Sequence, residues 1–162
     1  MLKGRQIKGL RVITFQDGKE VGRVGDLLID EENGMLRGLT IENRGILKNT
    51  KYVKREQIVR VGRDAVMING MDAVEDYHPD KQTGLFWHQK VGQNVFSREG
   101  TDIGTVQDII FDFPEGRVVG IEMSGGIWAD LNQGRKMIPW QQVVSGTSEN
   151  IMVEALGEDL WQ

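Results

Sequence analysis

The stretch Gly22-Arg-Val-Gly-Asp-Leu-Leu-Ile-Asp30 returns as Gly104-Thr-Val-Gln-Asp-Ile-Ile-Phe-Asp112 with every spacing kept, so any fold must satisfy one pattern twice. The chain is a duplication. Glycines recur at matching places around both copies: Gly18 and Gly100 before, Gly34 and Gly116 after, Gly38 and Gly120 further on. An offset of about 82 in a chain of 162 residues favours two small domains, at 1–70 and 89–162, over one large one, with a linker at 71–88. Domains of that size bury only about 60% of their unfolded surface. The two are therefore expected to pack on each other and share a face.

Strand signals dominate both copies. Residues 10–15 form a first apolar run, and Asp17-Gly18 and Glu99-Gly100 are turn signals, because glycine accepts the positive φ of a tight turn. A hairpin follows in each copy: residues 21–29 return along 36–41, and residues 103–111 turn through Asp112-Phe-Pro-Glu-Gly116 and return along 118–123. On the returning strands Leu39 and Ile41 share a face, as do Ile121 and Met123, while Thr40 and Glu122 point the other way. The copies diverge in a loop, with Ile46 and Leu47 at its tip in one and Ile127 and Trp128 in the other, then converge at Tyr52-Val53 and Met137-Ile-Pro-Trp140. Pro139 lacks a donor and suits an edge or a helical turn. Within the linker, Leu85-Phe86-Trp87 reads as an anchor returning to a core, and Leu160 and Trp161 are able to dock in the same way. Frequent turns and little helical periodicity predict an all-β chain.

Both halves resemble the PRC-barrel family, which takes its name from the cytoplasmic domain of the photosynthetic reaction-centre H subunit and also forms the C-terminal domain of a ribosome maturation factor. The residues that carry the likeness are Val21-Gly-Arg-Val-Gly-Asp-Leu-Leu-Ile-Asp30, the acidic glycine turn, residues 36–41, and the closing Tyr52-Val53 with Ile58, or Met137-Ile-Pro-Trp140 in the second copy. About 60 residues of each half are covered. The resemblance implies two tandem six-stranded antiparallel barrels packed with pseudo-twofold symmetry, contacts with other macromolecules, and no shared catalytic set. Lys54 and Arg55 depart from the family's Val-Pro-Trp close, which Pro139 and Trp140 keep, so the first barrel is expected to carry a different surface there. With the first copy opening the sequence, neither the membrane helix of a reaction-centre H subunit nor the RNA-associated domain of the ribosome factor is expected.

The absence of cysteine excludes disulfides, thiolate metal sites and cysteine nucleophiles. The polar start and the lack of a spanning apolar run point to a cytoplasmic protein. Residues 1–70 carry 14 Lys and Arg against 9 Asp and Glu, a net +5, whereas 71–162 carry 6 against 15, a net −9. The first half would suit an anionic partner, or the two halves simply attract each other.

Asp26 and Asp30 recur as Asp108 and Asp112. Four residues of strand span about 13 Å, too far for one metal ion between two carboxylates. The aspartates are therefore assigned structural roles, Asp30 and Asp112 at turns, together with Gly18, Gly22, Gly34, Gly100, Gly104 and Gly116. His78 and His88 lack ligand-spaced partners, and no nucleophile or phosphate-loop motif occurs, so no metal, cofactor or catalytic residue is assigned. The basic cluster Arg44, Lys48, Lys51, Lys54, Arg55, Arg60 and Arg63 is the most specific charge feature, and Tyr52 is its only aromatic residue. The expected activity is that of a non-enzymatic scaffold or adaptor for another protein, using Ile46, Leu47, Ile127, Trp128, Lys51, Lys54 and Arg55. An RNA- or ribosome-associated factor and a peripheral protein at an anionic membrane surface are the alternatives. A homo-oligomer stays open.

Overall fold

The computed structural model describes residues 1–43, 50–124, 137–144 and 149–154. The first copy comprises β1 (Leu2–Lys3), α1 (Gly4–Ile7), β2 (Arg11–Thr14), β3 (Glu20–Asp30), β4 (Met35–Glu42), β5 (Lys51–Lys54), a 3-10 turn at Arg55–Gln57, β6 (Ile58–Val61) and β7 (Ala65–Ile68). A second 3-10 turn, Met71–Ala73, leads to β8 (Glu75–Asp76). The second copy follows as β9 (Leu85–Phe86), α2 (Trp87–Lys90), β10 (Asn94–Ser97), β11 (Asp102–Asp112), β12 (Arg117–Ser124), β13 (Met137–Pro139), a 3-10 turn at Trp140–Gln142, β14 (Val143–Val144) and β15 (Asn150–Val153).

The duplication extends to the backbone register. Leu27 faces Leu39 across the β3–β4 hairpin, and Ile109 faces Ile121 across β11–β12. Even the irregularities recur, with bulges between Val24 and Asp26 and between Val106 and Asp108. Gly18 and Gly100 close the leading hairpins with φ of 67° and 84°.

Each barrel runs β2-β3-β4-β5 and then β6-β7, and β7 closes onto β2 in parallel, as β15 does onto β10. The barrels are therefore not wholly antiparallel, and the reason is local. The 3-10 turn after β5 does not reverse the chain, so β6 continues in the direction of β5 and the last strand arrives parallel to the first. Pro139 stands immediately before the corresponding turn in the second copy, where its missing donor costs nothing.

The copies also exchange their leading segments. β1 of the first copy pairs with β11 of the second, Leu2 opposite Phe111, while β9 of the second pairs with β3 of the first, Leu85 opposite Ile29. Within 71–88, then, β8 pairs with β5 and the apolar triplet from Leu85 is built onto the first barrel. This exchange explains the unbroken run Leu27-Leu28-Ile29, all buried: the inner face of β3 fills the barrel, and its outer face is covered by the other copy.

Between the barrels the hydrogen bonds are reciprocal, as a pseudo-twofold axis requires. Leu36 N donates to Gly116 O at 2.7 Å, and Val118 N donates to Gly34 O at 2.8 Å. One apolar cluster runs through both barrels, from Leu27, Leu39 and Val53 to Ile109, Phe111 and Ile121, so the two small cores form one.

Candidate functional site

An open groove of about 400 Å³ lies beside the first barrel's turn, lined by Asp30, Asn33, Arg37, Tyr52, Lys54, Arg55, Glu56, Lys81 and Gln82 together with Met35 and Leu36. Strand alternation sends Leu36 inward and leaves Arg37 outward. Arg37 Nη2 lies 3.2 Å from Asp30 Oδ2, and the same carboxylate accepts from Asn33 N at 3.3 Å and Asn33 Nδ2 at 2.8 Å. Burial opposes charge on Asp30, but the Asn33 donors and the Arg37 guanidinium outweigh it and hold the carboxyl below its usual value. Tyr52 behaves oppositely: burial, then the Glu56 and Glu75 carboxylates, push its phenol above the usual range. Asp30 thus stands at the turn and accepts the Asn33 backbone donor.

Lys54 and Arg55 line this groove, whereas Lys51 does not. Lys51 Nζ bonds Asp76 Oδ1 at 2.6 Å, and Lys54 Nζ stands a loose 3.9 Å from Glu75 Oε2. Arg55 reaches across to the second barrel, where Nη1 donates to Glu115 O at 3.2 Å, while Nη2 pairs with Glu56 at 3.2 Å. Lys81 is exposed and its ammonium has no partner among the described residues. Much of the first barrel's basic cluster is thus matched by acids of the same chain, Arg63 included, which pairs with neighbouring Asp64 at 3.3 Å. Ile46, Leu47, Ile127 and Trp128, with Arg44, Lys48, Leu160 and Trp161, lie outside the described residues.

Asp26 and Asp108 do not serve turns; both sit inside long strands, where each fastens the short helix exchanged from the other copy. Asp108, 0% exposed, accepts from Arg5 N at 3.3 Å, Trp87 Nε1 at 2.8 Å and Ile109 N at 2.8 Å, with Arg5 Nε at 3.6 Å. Its cross-strand partner Glu122 is 4% exposed and pairs with Lys3 Nζ at 2.5 Å and Arg5 Nη2 at 3.8 Å. At the matching place Asp26 accepts from Leu27 N at 2.8 Å and His88 N at 3.4 Å and contacts His88 Nδ1. Asp112 opens its turn through the backbone: Gly116 N donates to Asp112 O at 2.8 Å. His78 is an exposed turn residue, as expected, its carbonyl accepting from Lys81 N and Gln82 N.

Sequence reasoning missed Arg37 and Lys81 in the groove and Lys3 and Arg5 around Asp108, and it gave Trp87 only as part of an apolar anchor. A signal for the latter was present: Leu2, Gln6 and Gly9 repeat as Leu85, Gln89 and Gly92. Gln6 and Gln89 do the same work, each accepting from the backbone N–H three residues earlier, at 2.8 and 2.9 Å. Among the described residues no three His, Asp or Glu side chains are grouped to hold a metal ion, and no helix is long and apolar enough to cross a membrane.

The PRC-barrel domain matches residues 1–75 and, a second time, residues 83–160. No curated protein matches the chain. With the register, the bulges and the barrel closure all repeated, the chain belongs to the PRC-barrel domain family and carries two copies of that domain in tandem.

Proposed function

We propose that this tandem PRC-barrel protein is a non-enzymatic adaptor that holds a protein partner in the groove of its first barrel. The observation that carries this reading is the lining: among the described residues Arg37, Lys54, Arg55 and Lys81 meet there with Asp30 and Glu56, and Glu75 stands 3.9 Å from Lys54, so cations outnumber acids. A surplus of positive charge in a concave, open site attracts and orients an anionic partner. Asp30 and Tyr52 suit binding better than acid–base chemistry, because Asp30 is held down and Tyr52 is pushed up, both away from neutrality.

Pull-down from lysate of the source cells, with retained proteins identified by mass spectrometry, tests the reading. Wild type and a Trp128→Ala variant are expected to retain the same protein, and a Lys54→Glu/Lys81→Glu variant to lose it. Loss with Trp128→Ala alone would move the interface to residues 125–136, and retention of RNA that falls away with salt would replace the adaptor by a nucleic-acid-binding protein.

A further inference from the structure

We propose that the groove recognises an acidic peptide segment, one that sets two side-chain carboxylates among Arg37, Lys54 and Lys81; this rests on the adaptor reading. The three cations are incompletely compensated. Arg37 commits one nitrogen to Asp30 at 3.2 Å, and a guanidinium has five N–H donors to distribute. Lys54 stands 3.9 Å from its acid, and Lys81 has none among the described residues. A carboxylate entering between them makes charge-assisted hydrogen bonds without displacing a tight ion pair.

The rest of the lining selects peptide over nucleic acid. Asp30 and Glu56 stand among the cations and would repel a phosphodiester chain, whose charge recurs at every nucleotide, whereas a peptide can turn a backbone N–H or a hydroxyl toward them. Among the described residues of the lining Tyr52 is the only aromatic one, and at 2% exposed it offers no ring face for base stacking. The volume, about 400 Å³, holds a few side chains. The net −9 of residues 71–162 further disfavours a long polyanion crossing onto the second barrel.

The test is fluorescence anisotropy of the full chain with a short fluorescein-labelled peptide of alternating Glu and Ser, its Gln/Ser counterpart, a single-stranded RNA oligomer and inorganic phosphate as separate probes. The Glu/Ser peptide is expected to bind and the Gln/Ser peptide not. Lys54→Ala/Lys81→Ala should weaken binding about tenfold or more, the scale of one charge-assisted contact. Arg63→Ala removes a charge from a residue 92% exposed on its side chain and outside the groove, and should change Kd less than about twofold. Equal losses in the two variants, no binding by wild type, or displacement of the peptide by RNA or phosphate at lower concentration would each overturn the proposal. If the peptide fails while the pulled-down protein still depends on Lys54 and Lys81, only the carboxylate chemistry falls; if both fail, the adaptor reading of this groove falls with it.

Discussion

The two exchanged helices are fastened by the same backbone device and by different side chains. α1 docks on the second barrel through two buried carboxylates, Asp108 and Glu122, answered by Lys3, Arg5 and the Trp87 indole. α2 docks on the first barrel through Asp26 and the Lys90–Glu31 ion pair, with Thr40 where Glu122 stands in the other copy and Phe86 where Lys3 stands. Phe86 stacks on His88 and continues a chain of rings through Tyr77 to Tyr52. A helix N–H on a strand carboxylate is what the shared backbone demands. Around that contact the described side chains differ between the copies, and the rings from Phe86 to Tyr52 lead to the groove of the first barrel.

Removing the carboxylate from each fastening should separate the two most clearly. Asp108→Ala leaves buried donors unpaired and is expected to cost about 3 kcal/mol in urea denaturation, against about 1 kcal/mol for Asp26→Ala, whose partner His88 has a side chain 57% exposed. Equal costs would mean that the backbone contact, not the surrounding charge, carries the energy.

A similar contrast lies at Lys90, 2% exposed and ion-paired with Glu31. The corresponding residues of the other copy are Ile7 and Phe113. Lys90→Met alone should destabilise by about 3 kcal/mol by stranding Glu31, whereas Lys90→Ile with Glu31→Phe, which copies the apolar solution, should recover most of that loss. A double variant no better than the single one would show that the two sites differ in shape as well as charge.

Between the barrels, Gly34 and Gly116 both have positive φ, 62° and 75°, but a Cβ at Gly34 would lie 2.5 Å from the Trp140 ring, and one at Gly116 lies 3.0 Å from the flexible Arg55 chain. Gly34→Ala is expected to lower stability by about 3 kcal/mol and Gly116→Ala by about 1 kcal/mol, measured by thermal melting. Trp140→Arg, which copies Arg55, should narrow that difference.

The smallest effect is acid-dependent. Asp30 is held below the unfolded carboxyl value of about 3.9, so its stabilisation is present above that pH and drains away as pH falls through the folded value. Asp30→Asn should cost about 1 kcal/mol at neutral pH, and the gap to wild type should close toward pH 3. A gap that stays constant over that range would show that the charge on Asp30 is not what stabilises the turn.

Much of the first barrel's hairpin was legible in the chain because its cues are local. Gly18 and Gly34 mark reversals, Asp30 opens a turn three residues before Asn33, and Leu39 and Ile41 alternate with Thr40. The parallel closure was not legible, since it depends on whether Arg55–Gln57 reverses the chain, and a single 3-10 turn leaves no periodicity to count. Nor was the groove: Arg37, Lys54 and Lys81 are scattered along the sequence, and only the register of β4 against β5 and the path after β8 bring them together.

By itself the sequence determined that there are two copies, that each is built of strands, and where its hairpins turn, because hydrogen-bonded strands of fixed period leave their mark on neighbouring residues, while the barrel followed from the family resemblance. Only the tertiary structure decided that β1 and β9 cross to the opposite barrel, that Asp26 and Asp108 hold the partner copy's helix, and which cations remain incompletely paired. Strands of two residues have no period, and an ion pair between distant residues depends on how the chain returns in space.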